Sequence, residues 1–115
     1  MIDKIYEALS KFNYPVKYLL RPAFDDKNIV ISFHFFNERY AYYGDGEGKN
    51  FEKNIQVDIF YKSDIANLDR LIIDELKKLD IRFEESFESE DSLSGIRLYH
   101  KILRFYFFER STEWK

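Results

Sequence analysis

The chain of 115 residues has no cysteine, only two prolines and four glycines, and a single tryptophan. Without cysteine there are no disulfides, no thiolate metal sites and no thiol nucleophiles, which fits a cytosolic protein. So few prolines and glycines exclude collagen-like and low-complexity sequence. Basic residues are also scarce, since 18 lysines and arginines face 21 aspartates and glutamates. The net charge of −3 therefore does not favour a nucleic-acid groove.

Long apolar runs are missing from the first residues, where charges interrupt the sequence every few positions. This segment matches neither a signal peptide nor a membrane span. Aromatic residues are abundant instead, with 12 Phe and 9 Tyr. Because aromatic side chains bury large areas, a chain of this length can build a core. We expect one compact domain over residues 1–115.

Two segments have the apolar periodicity of helices. Residues 2–13 carry apolar side chains at helical spacing and are followed by Pro15, which cannot continue a helix. Residues 64–79 repeat the pattern, and Ser63 is the predicted N-cap.

The strand signals are runs of β-branched and aromatic residues, clearest where Ile55 to Tyr61 alternate with Gln56, Asp58 and Phe60. Predicted strands cover 29–36, 53–62, 81–88 and 96–109, with shorter extended pieces at 16–20 and 38–43. The run at 88–95 is predicted to be a polar turn. Residues 96–109 have apolar side chains at both parities, which leaves their faces unassigned and is typical of a central or interface strand.

This order of elements predicts an α+β fold. We expect a single, mostly antiparallel sheet of four to five strands with two helices packed on one face.

Candidate chemistry is sparse. His34 and His100 lie in predicted strands, where each can pair with a carboxylate if the strands are neighbours. Asp58 and Lys62 lie four apart on one strand, which puts both on the same side. A small metal-dependent hydrolase or nuclease that uses Asp58, His34 or His100 is therefore an alternative function. No serine elbow or H-E-x-x-H motif accompanies these residues.

The loop Gly44-Asp45-Gly46-Glu47-Gly48 holds three of the four glycines and is predicted to be a mobile hairpin connection. A phosphate cradle requires glycines that lead into a helix N-terminus, whereas this loop is acidic and leads into a strand. A calcium loop requires about five oxygen ligands at fixed spacing, more than Asp45, Glu47 and Asn50 supply. No cofactor and no metal are predicted.

Two stretches resemble a known family. The run I-Q-V-D-I-F-Y-K-S-D at 55–64, followed by an amphipathic helix, and the closing G-I-R-L-Y-H-K-I-L-R-F-Y-F at 95–107 are similar to tail-completion (tail terminator) proteins of long-tailed bacteriophages and prophages. The N-terminal helix and the glycine loop before the V-D-I strand extend the resemblance over most of the chain. Phe60 stands where the family often has Trp.

The resemblance implies a structural virion protein of the head–tail interface, made in the cytoplasm of a bacterial host. Such proteins assemble as a hexameric ring that caps the finished tail tube and presents a surface to the head–tail connector. The implied partners are further copies of the chain (the free subunit being monomeric or not), the tail-tube protein and the connector, with DNA only passing through the channel and no membrane. No catalytic residues are implied. A cytosolic protein-binding module is the third hypothesis, since Tyr and Phe are enriched at interface centres.

Two sets of residues are candidates for contacts. The expected partner interface consists of Tyr42, Tyr43, Gly44, Asp45, Gly46, Glu47, Gly48, Asp58 and Phe60. A ring around DNA benefits from a lumen that does not bind phosphate tightly. The expected lumen-facing acidic residues are Glu84, Glu85, Glu88, Glu90 and Asp91, together with Asp45 and Glu47.

Overall fold

The computed structural model describes residues 1–42, 49–93 and 96–110, and side chains within 1–36, 52–90 and 97–109. Two helices and five strands follow one another over these residues. They are α1 (Ile2–Ser10), β1 (Val16–Tyr18), β2 (Ile29–Tyr42), β3 (Lys49–Tyr61), α2 (Leu68–Lys77), β4 (Arg82–Leu93) and β5 (Ile96–Arg110). The predicted α+β class is confirmed.

The strands form one sheet in the order β1-β2-β3-β5-β4. Only β1 is parallel to its neighbour, and the other three pairings are antiparallel. β5 lies between β3 and β4, which explains why its side chains are apolar at both parities. The sequence pattern predicted this central position without assigning the faces.

The alternation along β3 determines which face of the sheet becomes the core. Ile55, Val57 and Ile59 are fully buried on one side, and their antiparallel partners extend the same apolar rows onto β2 and β5. Both helices place their apolar stripes against this side. The helix residues of this core are Ile5, Ala8, Leu9, Leu68, Ile72 and Leu76. The prediction of two helices on one face is confirmed.

Ion pairs fix α2 between its neighbours. Glu75 accepts hydrogen bonds from Lys78 at 2.8 Å and from Lys11 of α1 at 2.9 Å, and these two lysines hold the pKa of Glu75 below its usual value. On the other side, Lys101 Nζ of β5 lies 2.9 Å from Asp69 Oδ2. Burial alone would raise the pKa of Asp69, but the hydrogen bond and charge of Lys101 and two backbone hydrogen bonds lower it.

Helix α2 begins later than its apolar pattern predicts. Asp64 Oδ1 accepts a hydrogen bond from the Ala66 N–H at 2.9 Å, and Ala66 has a φ of 53°. This local turn occupies the predicted first turn of the helix, because an Asp side chain competes with helical hydrogen bonds. The N-cap is Asn67, so the prediction of Ser63 was wrong.

The predicted polar turn at 88–95 is also largely wrong, since β4 continues to Leu93. Glu88 and Ser89 pair with Lys101 and His100 of β5. β4 is the last strand of the sheet, and edge strands in native proteins commonly carry charges that discourage uncontrolled pairing. Polarity here indicates an edge strand and not a turn.

The sheet is longer than the helices that cover it. β2 and β3 pair from Ile29–Tyr61 to Tyr42–Lys49, with one register shift between Phe36 and Arg39. The predicted pieces 29–36 and 38–43 are therefore one strand as far as Tyr42, and residue 43 lies outside the described residues. The molecule measures 56 × 23 × 22 Å, with a radius of gyration of 16.1 Å, against roughly 13 Å for a compact domain of this length. With nine and ten residues, α1 and α2 are too short to cross a bilayer.

Two leucines of α2 test how the helix packs. Leu76 is fully buried and Leu71 is 41% exposed. We expect Leu76→Ala to lower the free energy of unfolding by about 2–5 kcal/mol, because it leaves a cavity. Leu71→Ala, the same chemical change in the same helix, should change it by about 0.5 kcal/mol or less. Urea denaturation followed by far-UV circular dichroism measures both, and equal losses would contradict this packing.

Candidate functional site on the uncovered sheet face

The sheet face opposite the helices, called here the uncovered face, carries polar and aromatic side chains in cross-strand register. Its residues are Val30, Ser32, His34 and Phe36 of β2, Asn54, Gln56, Asp58 and Phe60 of β3, His100, Ile102, Arg104 and Tyr106 of β5, and Glu85, Phe87 and Ser89 of β4. The period of two that makes the other face apolar places these residues together.

One end of the uncovered face is shielded by the chain that links β1 to β2. The Arg21 guanidinium lies 5.6 Å from the Phe60 ring centre and 5.3 Å from that of Phe24. Lys62 Nζ lies 4.3 Å from the Phe24 ring centre. Val30, beneath this segment, is fully buried. The sequence placed Lys62 beside Asp58, but the structure directs it to Phe24.

Asp58 is the centre of the site. Only 5% of this residue is exposed, and its Oδ1 lies 2.8 Å from His100 Nε2 and 2.9 Å from Gln56 Nε2. His34 Nδ1 lies 3.7 Å from Oδ2, which is beyond hydrogen-bond distance. A buried carboxylate is destabilising unless it is hydrogen-bonded. The hydrogen bonds from His100 and Gln56 therefore offset the loss of solvation of Asp58.

Arg104 extends the network to the sheet edge. Its Nε donates to Gln56 Oε1 at 3.2 Å, and its Nη1 lies 3.4 Å from Glu85 Oε1. The guanidinium also lies over the rings of Phe36 and Phe87, at 5.1 and 5.2 Å from their centres. A planar cation that both donates and stacks suits this position better than lysine.

The ring of His100 is fixed on two sides. It stacks on Phe60 at 4.2 Å with an interplanar angle of 19°, and Asp58 holds its Nε2. An oriented imidazole of this kind can relay a proton. No group of three or more His, Asp or Glu side chains within the described residues is arranged to hold a metal ion. What the arrangement does is to hold the His100 imidazole in one orientation.

His34, Asp58 and His100, which were predicted from the sequence as candidates on three different strands, lie together in the structure. Asp58 and Phe60, from the expected partner interface, both lie on the uncovered face. Tyr42 ends β2, while its side chain and residues 43–48 lie outside the described residues. Gln56 and Arg104 were not found from the sequence, because only the register of β3 against β5 places them beside Asp58.

Of the acidic residues predicted to face a lumen, Asp45 and Glu47 lie outside the described residues. The other five belong to β4 but do not share a face. Glu85 lies on the uncovered face beside Arg104, whereas Glu88 lies on the helix side, where the Tyr61 hydroxyl donates to it. Glu90 meets Arg97 at 3.4 Å, and Glu84 lies at the register shift between Phe83 and Glu85. The remaining member, Asp91, pairs with Leu98 through the backbone, and its side chain is outside the described residues.

Comparison with known proteins gives a structural match only. No family model matches the sequence, and no curated protein matches it. A chain of the solved structure "Virion of native gene transfer agent (GTA) particle" superposes with a TM-score of 0.50 and 10% sequence identity. The match covers 91% of this chain and 92% of that chain. Because the sequence identity is this low, the match shows a shared fold alone.

The contact between Tyr61 and Glu88 predicts a pH dependence. Burial, followed by the hydrogen bond and charge of Glu88, raises the pKa of Tyr61 above its usual value. The stabilisation is therefore fully present below the unfolded-state pKa of about 10 and is lost as the pH rises through the higher folded-state pKa. Tyr61→Phe should weaken the alkaline loss of stability measured by urea titrations across this range. Tyr6→Phe, at a residue 48% exposed, should leave it unchanged; a steep loss that persists in Tyr61→Phe would assign it to another group.

The distances at Asp58 predict unequal coupling to the two histidines. A double-mutant cycle of Asp58→Ala and His100→Ala should give a coupling free energy of about 0.5–3 kcal/mol. The cycle of Asp58→Ala and His34→Ala should give less, because that pair lies beyond hydrogen-bond distance. Urea unfolding of all variants at one pH measures both cycles. Equal coupling in the two cycles would show that Asp58 is not held as described.

Proposed function

We propose that this protein is a structural component of a phage-like virion, and specifically a tail terminator that closes the end of the tail tube and joins it to the head connector. The observation that carries the proposal is the shared fold with a chain of a gene transfer agent virion, which extends over nearly the whole of both chains. The resemblance of residues 55–64 and 95–107 to tail-completion proteins supports the finer assignment.

The surface is suited to protein contacts. The uncovered face presents stacked aromatic and guanidinium groups, and Phe83 and Phe87 on the edge strand β4 are 39% and 46% exposed. Exposed aromatic residues beside arginines are typical of interface centres. This surface favours binding to other folded chains over enclosing a small molecule.

In the proposed role the subunits form a ring, hexameric as in the family that the sequence resembles, with DNA passing through its channel. The expected partner interface of Tyr42–Gly48, Asp58 and Phe60 would meet the tail-tube protein or the connector. Asp58 is almost fully buried, so its part is to position His100 and Phe60 and not to touch the partner. Acidic residues of β4 that face the channel would reduce adhesion to phosphates.

The alternative of a small hydrolase or nuclease has one observation in its favour, the convergence of His34, Asp58 and His100. A metal-dependent reaction needs further ligands, which the described residues do not supply here. Purified protein incubated with DNA, with and without Mg²⁺, separates the two functions. Cleavage that requires Mg²⁺ and disappears in both Asp58→Asn and His100→Ala would support the enzyme and contradict the structural proposal.

Co-expression with the tail-tube protein of the same genome tests the proposed role. Electron microscopy should show tubes capped at one end by a six-fold ring, and the protein should sediment with them. Leu76→Ala, which loosens the core, should lose capping through instability, whereas Leu71→Ala should cap normally. Long uncapped tubes, with well-folded protein left in the soluble fraction, would contradict the tail-terminator assignment.

A further inference from the structure

The two edges of the sheet differ in charge. β4, at one edge, carries five acidic residues and one arginine. Arg97 and Arg104 each meet one of these carboxylates, which leaves Glu84 and Glu88 without a basic partner among the described residues. At the opposite edge, residues 16–21 contain no acidic residue, and the exposed Lys17 supplies the positive charge. The second basic residue of this segment, Arg21, turns its guanidinium toward Phe24 and Phe60. The molecule therefore presents a negative edge and a positive edge.

The basic edge also exposes two large apolar side chains. Leu19 and Leu20, directly after β1, are 65% and 68% exposed, the highest values among the large apolar residues described. Leu19 has a φ of 72°, a conformation unfavourable for leucine, and its N–H donates to the Phe33 carbonyl at 2.8 Å. The hydrogen bond thus holds the backbone in this form beside the sheet edge, where both leucines remain exposed.

The acidic edge has a groove beside it. α2 runs alongside β4 on the helix side of the sheet, and the groove of about 360 Å³ remains between the helix and the strand. Its apolar lining residues are Ile73, Phe83 and Leu103, and its polar ones are Asp69, Arg70, Asp74 and Ser86. Phe83 packs edge-on against the buried core residue Phe105, with the ring centres 5.7 Å apart. This contact with the core holds the Phe83 ring in place beside the groove.

We propose that the basic edge at residues 16–21 of one copy docks on the acidic edge of β4 of a second copy, with Leu19 and Leu20 entering the groove at Phe83. Opposite charges favour this pairing, while two β4 edges would repel each other. The outward N–H and C=O groups of β4 provide a site where an extended segment can add to the sheet. Three strands separate the two edges within one subunit, so the contact must be made between copies.

The contact joins two different surfaces of the same chain. Such heterologous contacts produce a closed ring or an open filament, depending on the rotation between copies. This contact would therefore join the subunits of the proposed ring. The inference rests on the proposed function only in assuming that the contacts close into a ring.

Engineered cysteines test the contact directly, because the natural chain has none. Lys17 pairs with Ser32 and Ser89 pairs with His100, so both positions lie on the uncovered face. A mixture of Lys17→Cys and Ser89→Cys proteins should give a disulfide-linked dimer under mild oxidation. One chain with both changes should give a ladder of multimers. A mixture of Lys17→Cys with Ser63→Cys, an exposed serine away from both edges, is the control.

Charge exchange provides a second, independent test. Glu84→Lys and Lys17→Glu should each weaken self-association in sedimentation velocity, and a 1:1 mixture of the two should restore it, because every contact in an alternating assembly is again complementary. Leu20→Ala should weaken association about ten- to a hundred-fold through lost apolar burial. Ile2→Ala, which removes an exposed side chain of α1, should have no effect.

The outcomes separate this contact from the proposed function. The proposed contact would be overturned if Ser89→Cys protein alone cross-linked as strongly as the mixture. It would also be overturned if the chain with both substitutions stayed monomeric. Capped tubes whose rings do not cross-link through these cysteines would leave the tail role standing and this contact wrong. Multimer ladders through these cysteines, combined with uncapped tubes, would support the contact and contradict the tail role.

Discussion

Burial of one side of the sheet by two helices is the constraint on which the other features depend. The apolar alternation of β3 can satisfy only one face, and α1 and α2 both pack there. The opposite face is then available for polar groups, so an almost fully buried Asp58 can exist without disrupting the core. On the helix side, α2 lies alongside the edge strand β4, and a groove beside Phe83 remains between them.

The network around Asp58 illustrates what a buried charge does in a small domain. Replacing such groups by apolar residues is often neutral or stabilising, whereas removing one partner is costly. Here Gln56 and His100 satisfy the carboxylate. Arg104 bonds to Gln56 and to Glu85, which continues the hydrogen bonds to the edge of the sheet. The result is a surface on which the rings of Phe60 and His100 are held in one arrangement.

The edges raise a different problem, because unpaired strand edges can pair with other chains and lead to aggregation. Short edge strands and charged residues both limit uncontrolled pairing. This chain uses a three-residue β1 at one edge and an acidic β4 at the other. In the contact proposed above, charges of opposite sign on the two edges would favour one relative orientation of neighbouring copies and disfavour others. Specificity would then come partly from repulsion.

The sequence by itself determined the two helices, the main strands, the α+β class and the inward residues of β3, because side-chain periodicity is a local property. It failed where local signals compete, at the Asp64 turn before α2 and along the polar β4. Only the tertiary structure decided the strand order, the division of the acidic residues between two faces, and the meeting of His34 and His100 at Asp58. Those features depend on register between strands distant in sequence, which no local pattern of residues encodes.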